Sequence, residues 1–325
     1  MSDAAFVILA FMIAVCVLLD GYDLGVATLA PFISRSGEDR AEAMHAIGPY
    51  WNGNEVWLIA AGAVSFALFP LAYASAFSGF YLPFMVVLWL LMFRGIAMEV
   101  REHFPSELWH TFWDTAFSLS SAVLILLFGL TIGNLVRGLP LRPSGFFFGT
   151  FGFLLNPYAV AVGLFAVAAL VQHGATFLTM AVDGELARRS RAAIGRLWWI
   201  VLALYIVVTV FTLVIRPIVF ERPWLAIIAL ISLAAFILLR ARLSSGSRVL
   251  PFVYSTVFIA SLLIAAAATI YPYLLPDFGG NGGLTIYAAS ASPHAMAWGI
   301  GATLVGLIAV STYTILATLR LRPTT

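Results

Sequence analysis

Two groups of polar side chains lie where an apolar chain makes them costly. Asp20 and Asp23 occur in Leu19-Asp20-Gly21-Tyr22-Asp23-Leu24-Gly25, inside the first apolar stretch. Asn52, Asn54 and Glu55 occur in Trp51-Asn52-Gly53-Asn54-Glu55-Val56-Trp57, which opens the second. Asp20 and Asp23 are three positions apart, so on a helix both carboxyl groups project from nearly the same face. A carboxyl at the centre of a bilayer costs about 2.5 to 3.5 kcal/mol on insertion scales, enough to demand a polar seam or a neutralising partner. Paired carboxyls in that setting suit a proton relay. They equally suit a hydrogen-bonded pair that fixes a bent helix against another subunit, and spacing alone leaves both readings open.

Gly48-Pro49 precedes the second group and suits the entry to a helix, which puts Asn52 and Glu55 one turn apart at its mouth. An acid in a first turn complements the helix dipole, so Glu55 can be read as a helix starter. With Asn52 and Asn54 it could instead gather water and, together with Asp20 and Asp23 deeper in, form a line of exchangeable protons from the cytoplasm. Trp51 and Trp57 suit an interfacial belt, and Trp57 can also border an oxygen or proton route. Arg94, Glu99 and Arg101 surround the inner end of the third apolar stretch, where snorkelling or interfacial pairing is expected. The functional alternative turns Arg94 inward to compensate Asp20 or Asp23, which would hold that acid ionised and weaken it as a proton carrier.

Of five histidines, His173 lies well inside an apolar stretch and is the candidate internal haem or metal ligand. It has no second histidine at helical spacing, so a hydrogen-bonded core role is expected. His45, His103 and His110 fall in or near loops and His294 begins the last span, and nothing in their spacing specifies zinc. No metal site is expected. Cys16 is the one cysteine and reads as a packing residue. Asp183-Gly184-Glu185-Leu186-Ala187-Arg188-Arg189 reads as a solvated helix end, and Phe146 to Phe148 and Trp198-Trp199 as lipid-facing belts.

The elements that must position these residues follow from composition. Of 325 residues, 62% are hydrophobic and 10% charged, which excludes an ordinary soluble domain and implies an all-α polytopic membrane protein. Nine spans are expected, near 4–33, 52–73, 77–99, 113–136, 155–181, 197–217, 223–240, 250–273 and 294–318, with connections too short to fold separately. Residues 1–325 are therefore read as a single membrane domain. Gly21 and Gly25 mark where the long first span would bend.

All 17 basic residues are arginine. Thirteen of these 17 (Arg35, Arg40, Arg94, Arg101, Arg188, Arg189, Arg191, Arg196, Arg240, Arg242, Arg248, Arg320 and Arg322) fall on one side of the nine-span layout, leaving four (Arg137, Arg142, Arg216 and Arg222) on the other. The bias places the N-terminus outside and the C-terminus in the cytoplasm, as an odd number of spans requires. A net charge of +2 is too small for a nucleic-acid groove. Gly279-Gly280-Asn281-Gly282-Gly283 reads as an outer turn and lacks the lysine of a phosphate-binding loop. The N-terminus has neither a basic n-region nor a cleavage site, so a removed signal peptide is not expected.

The order of these motifs resembles subunit II of cytochrome bd-type quinol oxidases over nearly the whole chain. The resemblance rests on Asp20-Gly21-Tyr22-Asp23-Leu24-Gly25-Val26, Pro49-Tyr50-Trp51-Asn52-Gly53-Asn54-Glu55-Val56-Trp57-Leu58 and Ser75-Ala76-Phe77-Ser78-Gly79-Phe80-Tyr81. Further matches are Phe93-Arg94-Gly95, Gly133-Asn134-Leu135, Gly138-Leu139-Pro140, Leu155-Asn156-Pro157-Tyr158, His173-Gly174-Ala175-Thr176-Phe177-Leu178 and Gly184-Glu185-Leu186.

The resemblance implies an auxiliary subunit in a bacterial or archaeal cell membrane. It would form a heterodimer with a haem-bearing subunit I and admit small single-span accessory subunits. Such a complex oxidises quinol and reduces dioxygen to water, with two b-type haems and one d-type haem, or three b-type haems, in the partner. This subunit would assist proton and oxygen access, stabilise the partner and in some members hold a buried structural quinone or lipid. The family commonly has aspartate where this chain has Asn52, and a neutral amide cannot titrate. That departure leaves a quinol-oxidising relative without dioxygen reduction open, beside a purely structural assembly subunit and a proton-coupled transporter.

Overall fold

The structure is a computed structural model that describes residues 1–278 and 282–320. The expected glycine turn falls largely outside the described residues, as does Arg322. In chain order the helices are α1 (Ser2–Ile33), α2 (Gly37–Ile47), α3 (Trp51–Leu68), α4 (Pro70–Gly79), α5 (Tyr81–Val100), α6 (Glu107–Arg137) and α7 (Phe151–Leu154). They continue as α8 (Pro157–Ala181), α9 (Gly184–Ile215), α10 (Ile218–Glu221), α11 (Leu225–Arg242), α12 (Leu250–Ile270), α13 (Ile286–Ala289) and α14 (Pro293–Arg320). A small antiparallel hairpin, β1 (Tyr273–Pro276) with β2 (Gly283–Thr285), pairs Tyr273 with Thr285 and Pro276 with Gly283.

Among the described residues, eight helices are long and apolar enough to cross a membrane. The second expected span is divided at Phe69, because Pro70 has no N–H to continue a helix and begins α4 instead. Helix α2 does not span. Ser36 accepts a hydrogen bond from the Asp39 N–H at its start, and its buried residues, Ala43, Met44 and Ile47, lie along one side.

Helices α1, α6 and α8 form the centre. Residues Asp20 to Ala30 of α1 are buried on every face, the signature of a helix enclosed by others. Gly25 and Gly174 permit the closest approach: a Cβ on Gly25 would stand 2.0 Å from the Leu170 carbonyl oxygen, and one on Gly174 would stand 2.4 Å from the Val26 nitrogen. Helix α1 is a single 32-residue helix through this region, so the glycines beside the acids serve packing against α8 where a bend was expected.

Helix α3 buries Trp51, Asn54, Trp57, Ala61, Val64 and Leu68, a stripe with steps of three and four residues. The tryptophans expected in an interfacial belt are thus core residues, because they share the stripe that packs on α1. The other expected belts are mixed. Trp199 is exposed, whereas Trp198 stacks on Phe236 and donates to its carbonyl at 3.1 Å. Phe146 and Phe148 are exposed, and Phe147 between them stacks on Phe80 at 5.7 Å.

Candidate functional site

The acids of the first span meet the second and third at one buried ionic cluster. The i, i+3 spacing on α1 aims Asp20 and Asp23 to the same side, and the α3 stripe presents Asn54 toward them. Helix α5 is largely exposed, yet it turns in Arg94, which is fully buried, together with Ala97 one turn away. The Arg94 Nη2 donates to Asp20 Oδ1 at 2.7 Å and lies 4.0 Å from Asp23 Oδ2. Its Nη1 donates to Glu55 Oε1. The expectation that Arg94 snorkels is therefore corrected. A guanidinium fork on a peripheral helix reaches inward when buried carboxylates offer charge-assisted bonds that lipid cannot.

Asp23 is held differently. Asn54 Nδ2 donates to Asp23 Oδ2 at 2.7 Å, is 2.9 Å from the Tyr22 hydroxyl and is 3.4 Å from the Leu19 carbonyl. Among the described residues, Asp23 Oδ1 and Arg94 Nε are buried without a hydrogen-bond partner. The Glu55 side chain is 22% exposed while those of Arg94 and Asp23 are 0% exposed, so the cluster runs from a partly open acid to a closed one. Three carboxyl groups share one guanidinium. The cluster therefore carries more acid groups than base in a buried setting, where unpaired charge is costly.

The structure does not bring every candidate to this place. Asn52 points off the stripe and is exposed, because two positions before Asn54 on a helix is the opposite side. Glu99 is exposed too, away from Arg94. Trp57 is buried one turn beyond Asn54, its ring edge-on to Phe11 at 6.5 Å and its Nε1 without a partner.

His173 is the expected core histidine. Its Nε2 lies 3.2 Å from the Leu18 carbonyl, which can only accept, so Nε2 carries the proton and Nδ1 accepts from the Ser255 hydroxyl at 2.9 Å. Phe252 stacks on the ring at 4.9 Å. Both nitrogens are engaged, and no group of three or more His, Cys, Asp or Glu side chains gathers at metal-binding distance among the described residues.

A second ionic assembly, at the arginine-rich end, was not legible beforehand. Asp114 on α6 receives Arg101 Nε at 2.5 Å and Arg40 Nη1 at 3.3 Å, which ties α2 to the connection between α5 and α6. Arg189 on α9 binds both oxygens of Asp39 at 2.9 Å and also reaches the Ile33 carbonyl. That guanidinium holds the Asp39 carboxyl below the usual carboxylate range. The helix end at Asp183 to Arg189 is thus only partly the solvated terminus expected: Glu185 pairs with Arg188 in the open, while Arg189 clamps α2. The one advance signal was Asp114 itself, an acid at the start of an apolar run with Arg101 shortly before it.

Comparison with known proteins agrees with this architecture. Residues 1–319 match the family model described as cytochrome bd terminal oxidase subunit II. The chain is 29% identical over 337 residues to cytochrome bd-I ubiquinol oxidase subunit 2 of Escherichia coli (strain K12), covering 90% of this chain and 87% of that protein. It is 30% identical over 324 residues to a probable cytochrome oxidase subunit 2 of Haemophilus influenzae, covering 85% and 84%. The fold matches a chain of the bd oxidase from Geobacillus thermodenitrificans with a TM-score of 0.81 at 19% identity, over 99% of both chains. With nearly its whole length matched by one family model, the chain belongs to the cytochrome bd terminal oxidase subunit II family.

Proposed function

We propose that this chain is the auxiliary subunit of a membrane quinol:dioxygen oxidoreductase and that Asp23 is its proton-loading group. The whole chain acts as one membrane domain with nine crossings, its N-terminus outside and its arginine-rich end in the cytoplasm. The haems belong to a partner subunit I, with which it forms a heterodimer. This division fits His173, whose two nitrogens are already engaged.

The observation that carries the reading is the unequal treatment of the three acids. Asp20 and Glu55 are each bonded to Arg94, whereas Asp23 has no cation at hydrogen-bond distance and keeps Oδ1 unpartnered. A group that must take up and release a proton needs such a free oxygen, and a carboxylate locked on a guanidinium is a poor carrier. Glu55 is the entry because it alone of the three is partly open. Asn52 lies off this line, so its replacement of the family's usual aspartate leaves the inner set of Glu55, Asp20, Asn54 and Asp23 in place. Trp57 continues the same stripe inward and borders the route.

An apolar cavity of about 520 Å³ between α1, α3, α4, α5, α6 and α12, lined by Phe6, Leu9, Phe128 and Ile270 among others, is the space for a structural quinone or lipid. The test compares Asp23→Asn and Asp20→Asn in the assembled complex, with quinol-driven oxygen consumption and haem-to-protein ratio as readouts. Asp23→Asn is expected to lose on the order of tenfold or more of turnover at unchanged haem content. Full oxygen consumption in both variants and their double sinks the relay. A joint loss of haem and subunit association supports the second reading, a structural assembly subunit, which the Arg94 ion pairs favour. A haem spectrum without oxygen uptake in the wild-type complex marks a quinol-oxidising relative that does not reduce dioxygen.

A further inference from the structure

Around the cytoplasmic-type end of α9 and α11 the arginines divide into two sets. Arg188 pairs with Glu185, Arg189 with Asp39 and Arg248 with Asp183, and Arg191 donates to the Leu243 and Ser247 carbonyls at 3.0 and 3.2 Å. These contacts occupy Asp183 and Glu185, the acids of this end of α9. Arg196 on α9 and Arg240 and Arg242 on α11 are exposed and have neither an ion pair nor a side-chain hydrogen bond among the described residues.

The backbone makes room for one of them. Arg240 Nη1 lies across α9 at Gly195, 3.4 Å from where a Cβ would stand, which sets the guanidinium directly against the α9 backbone. Just inward, Trp198 bridges the two helices by stacking on Phe236 at 4.9 Å, and Trp199 turns outward with 62% of its surface exposed. Beyond the indoles both helices present mainly apolar side chains outward, Ile200 and Val207 on α9 and Ile237 and Leu230 on α11, with Thr209 an exposed polar residue of that stretch of α9. Guanidinium groups, then indoles, then hydrocarbon is the vertical order of a phospholipid from phosphate through interface to acyl chain.

We propose that the α9–α11 seam binds the headgroup of an anionic phospholipid, with Arg196, Arg240 and Arg242 around the phosphate and the acyl chains along Ile200 and Ile237. Guanidinium forks match phosphate oxygens, and three positive charges without local acids select an anionic headgroup over a zwitterionic one. Each basic residue near an anionic surface is worth about fivefold in occupancy. The lipid would brace two helices that otherwise meet here through the Trp198 and Arg191 contacts.

The test purifies the complex with its partner subunit in mild detergent and quantifies retained phospholipids by mass spectrometry. Wild type is expected to retain phosphatidylglycerol or cardiolipin above its share of the source membrane, and Arg196→Ala/Arg240→Ala/Arg242→Ala to lose at least about tenfold of it with phosphatidylethanolamine unchanged. If the triple variant does not assemble, Arg240→Gln, expected to lose about fivefold, carries the comparison. Wild-type complex in nanodiscs of equal phosphatidylglycerol and phosphatidylcholine gives a readout independent of any variant. Equal retention in wild type and variants, or no enrichment of the anionic lipid in wild type, overturns the proposal.

Discussion

One guanidinium serves three carboxyl groups at the crossing of α1, α3 and α5, whereas in the ion-pair sets around Asp114 and Asp39 guanidiniums and carboxylates come to parity. The first assembly is buried and under-compensated, and it leaves an acid oxygen and an arginine nitrogen without partners. The second is partly solvated. Arg40 and Arg101 with Asp114 and Glu102 close a matched set, and Arg189 and Asp39 close another. The contrast separates two uses of charge in one membrane chain. Matched pairs at an end hold helices in place, while a mismatched set in the interior is what the proposed proton-loading role requires.

The strongest way to break the contrast is Arg94→Met. Removing the one cation that the described residues give this largely buried cluster is expected to destabilise the subunit by about 3–5 kcal/mol, seen as loss of assembled complex and a lowered thermal transition. A complex of undiminished stability would mean that the three acids do not depend on Arg94. Next in size is the pair Asn54→Leu and Asn52→Leu. Asn54 supplies the Asp23 hydrogen bond, so its loss is expected to cost on the order of tenfold in quinol-driven oxygen uptake, the equivalent of one charge-assisted bond. Asn52→Leu is expected to leave turnover near wild type, and equal effects would return Asn52 to the route.

At the other assembly, Asp114→Asn leaves Arg101 and Arg40 without their shared counter-charge. A loss of about 1–3 kcal/mol in thermal stability is expected, with turnover per assembled complex retained. A specific fall in turnover would make Asp114 part of the proton route. The smallest effect concerns pH. Asp39 is depressed by Arg189, so its contribution is complete above the unfolded carboxylate value of about 3.9 and disappears as pH falls through the folded value. The amount is at most about 1 kcal/mol for a pair this near the surface. Comparing acid-induced unfolding of wild type and Asp39→Asn should show the difference above pH 4 and convergence below it; parallel curves at every pH would show that the pair contributes nothing.

Burial patterning explains which side chains could be placed beforehand. Asp20 and Asp23 were visible as a pair because i, i+3 spacing fixes a common face whatever the neighbours are. Asn54 was hidden beside Asn52, although a stripe running Trp51, Asn54, Trp57, Ala61 already separates them once the helix phase is read. Arg94 could not be oriented at all, since its helix is apolar all round and sequence offers no phase for it. Asp39 and Arg189 are 150 positions apart, and no local pattern connects them.

Sequence by itself determined the class of the molecule, because a long apolar helix satisfies its own backbone groups in hydrocarbon and the chain contains such runs from end to end. It also determined the family, the pair of acids on α1 and the bonded core role of His173. Tertiary structure alone decided that α1 is continuous through its glycines, that Pro70 splits the second span, and that Arg94 joins Asp20 to Glu55 while leaving Asp23 with a free oxygen. Periodicity fixes which face of one helix a residue occupies. Only the packing of several helices fixes which residue faces it across the gap, and charge pairing inside a membrane is decided there.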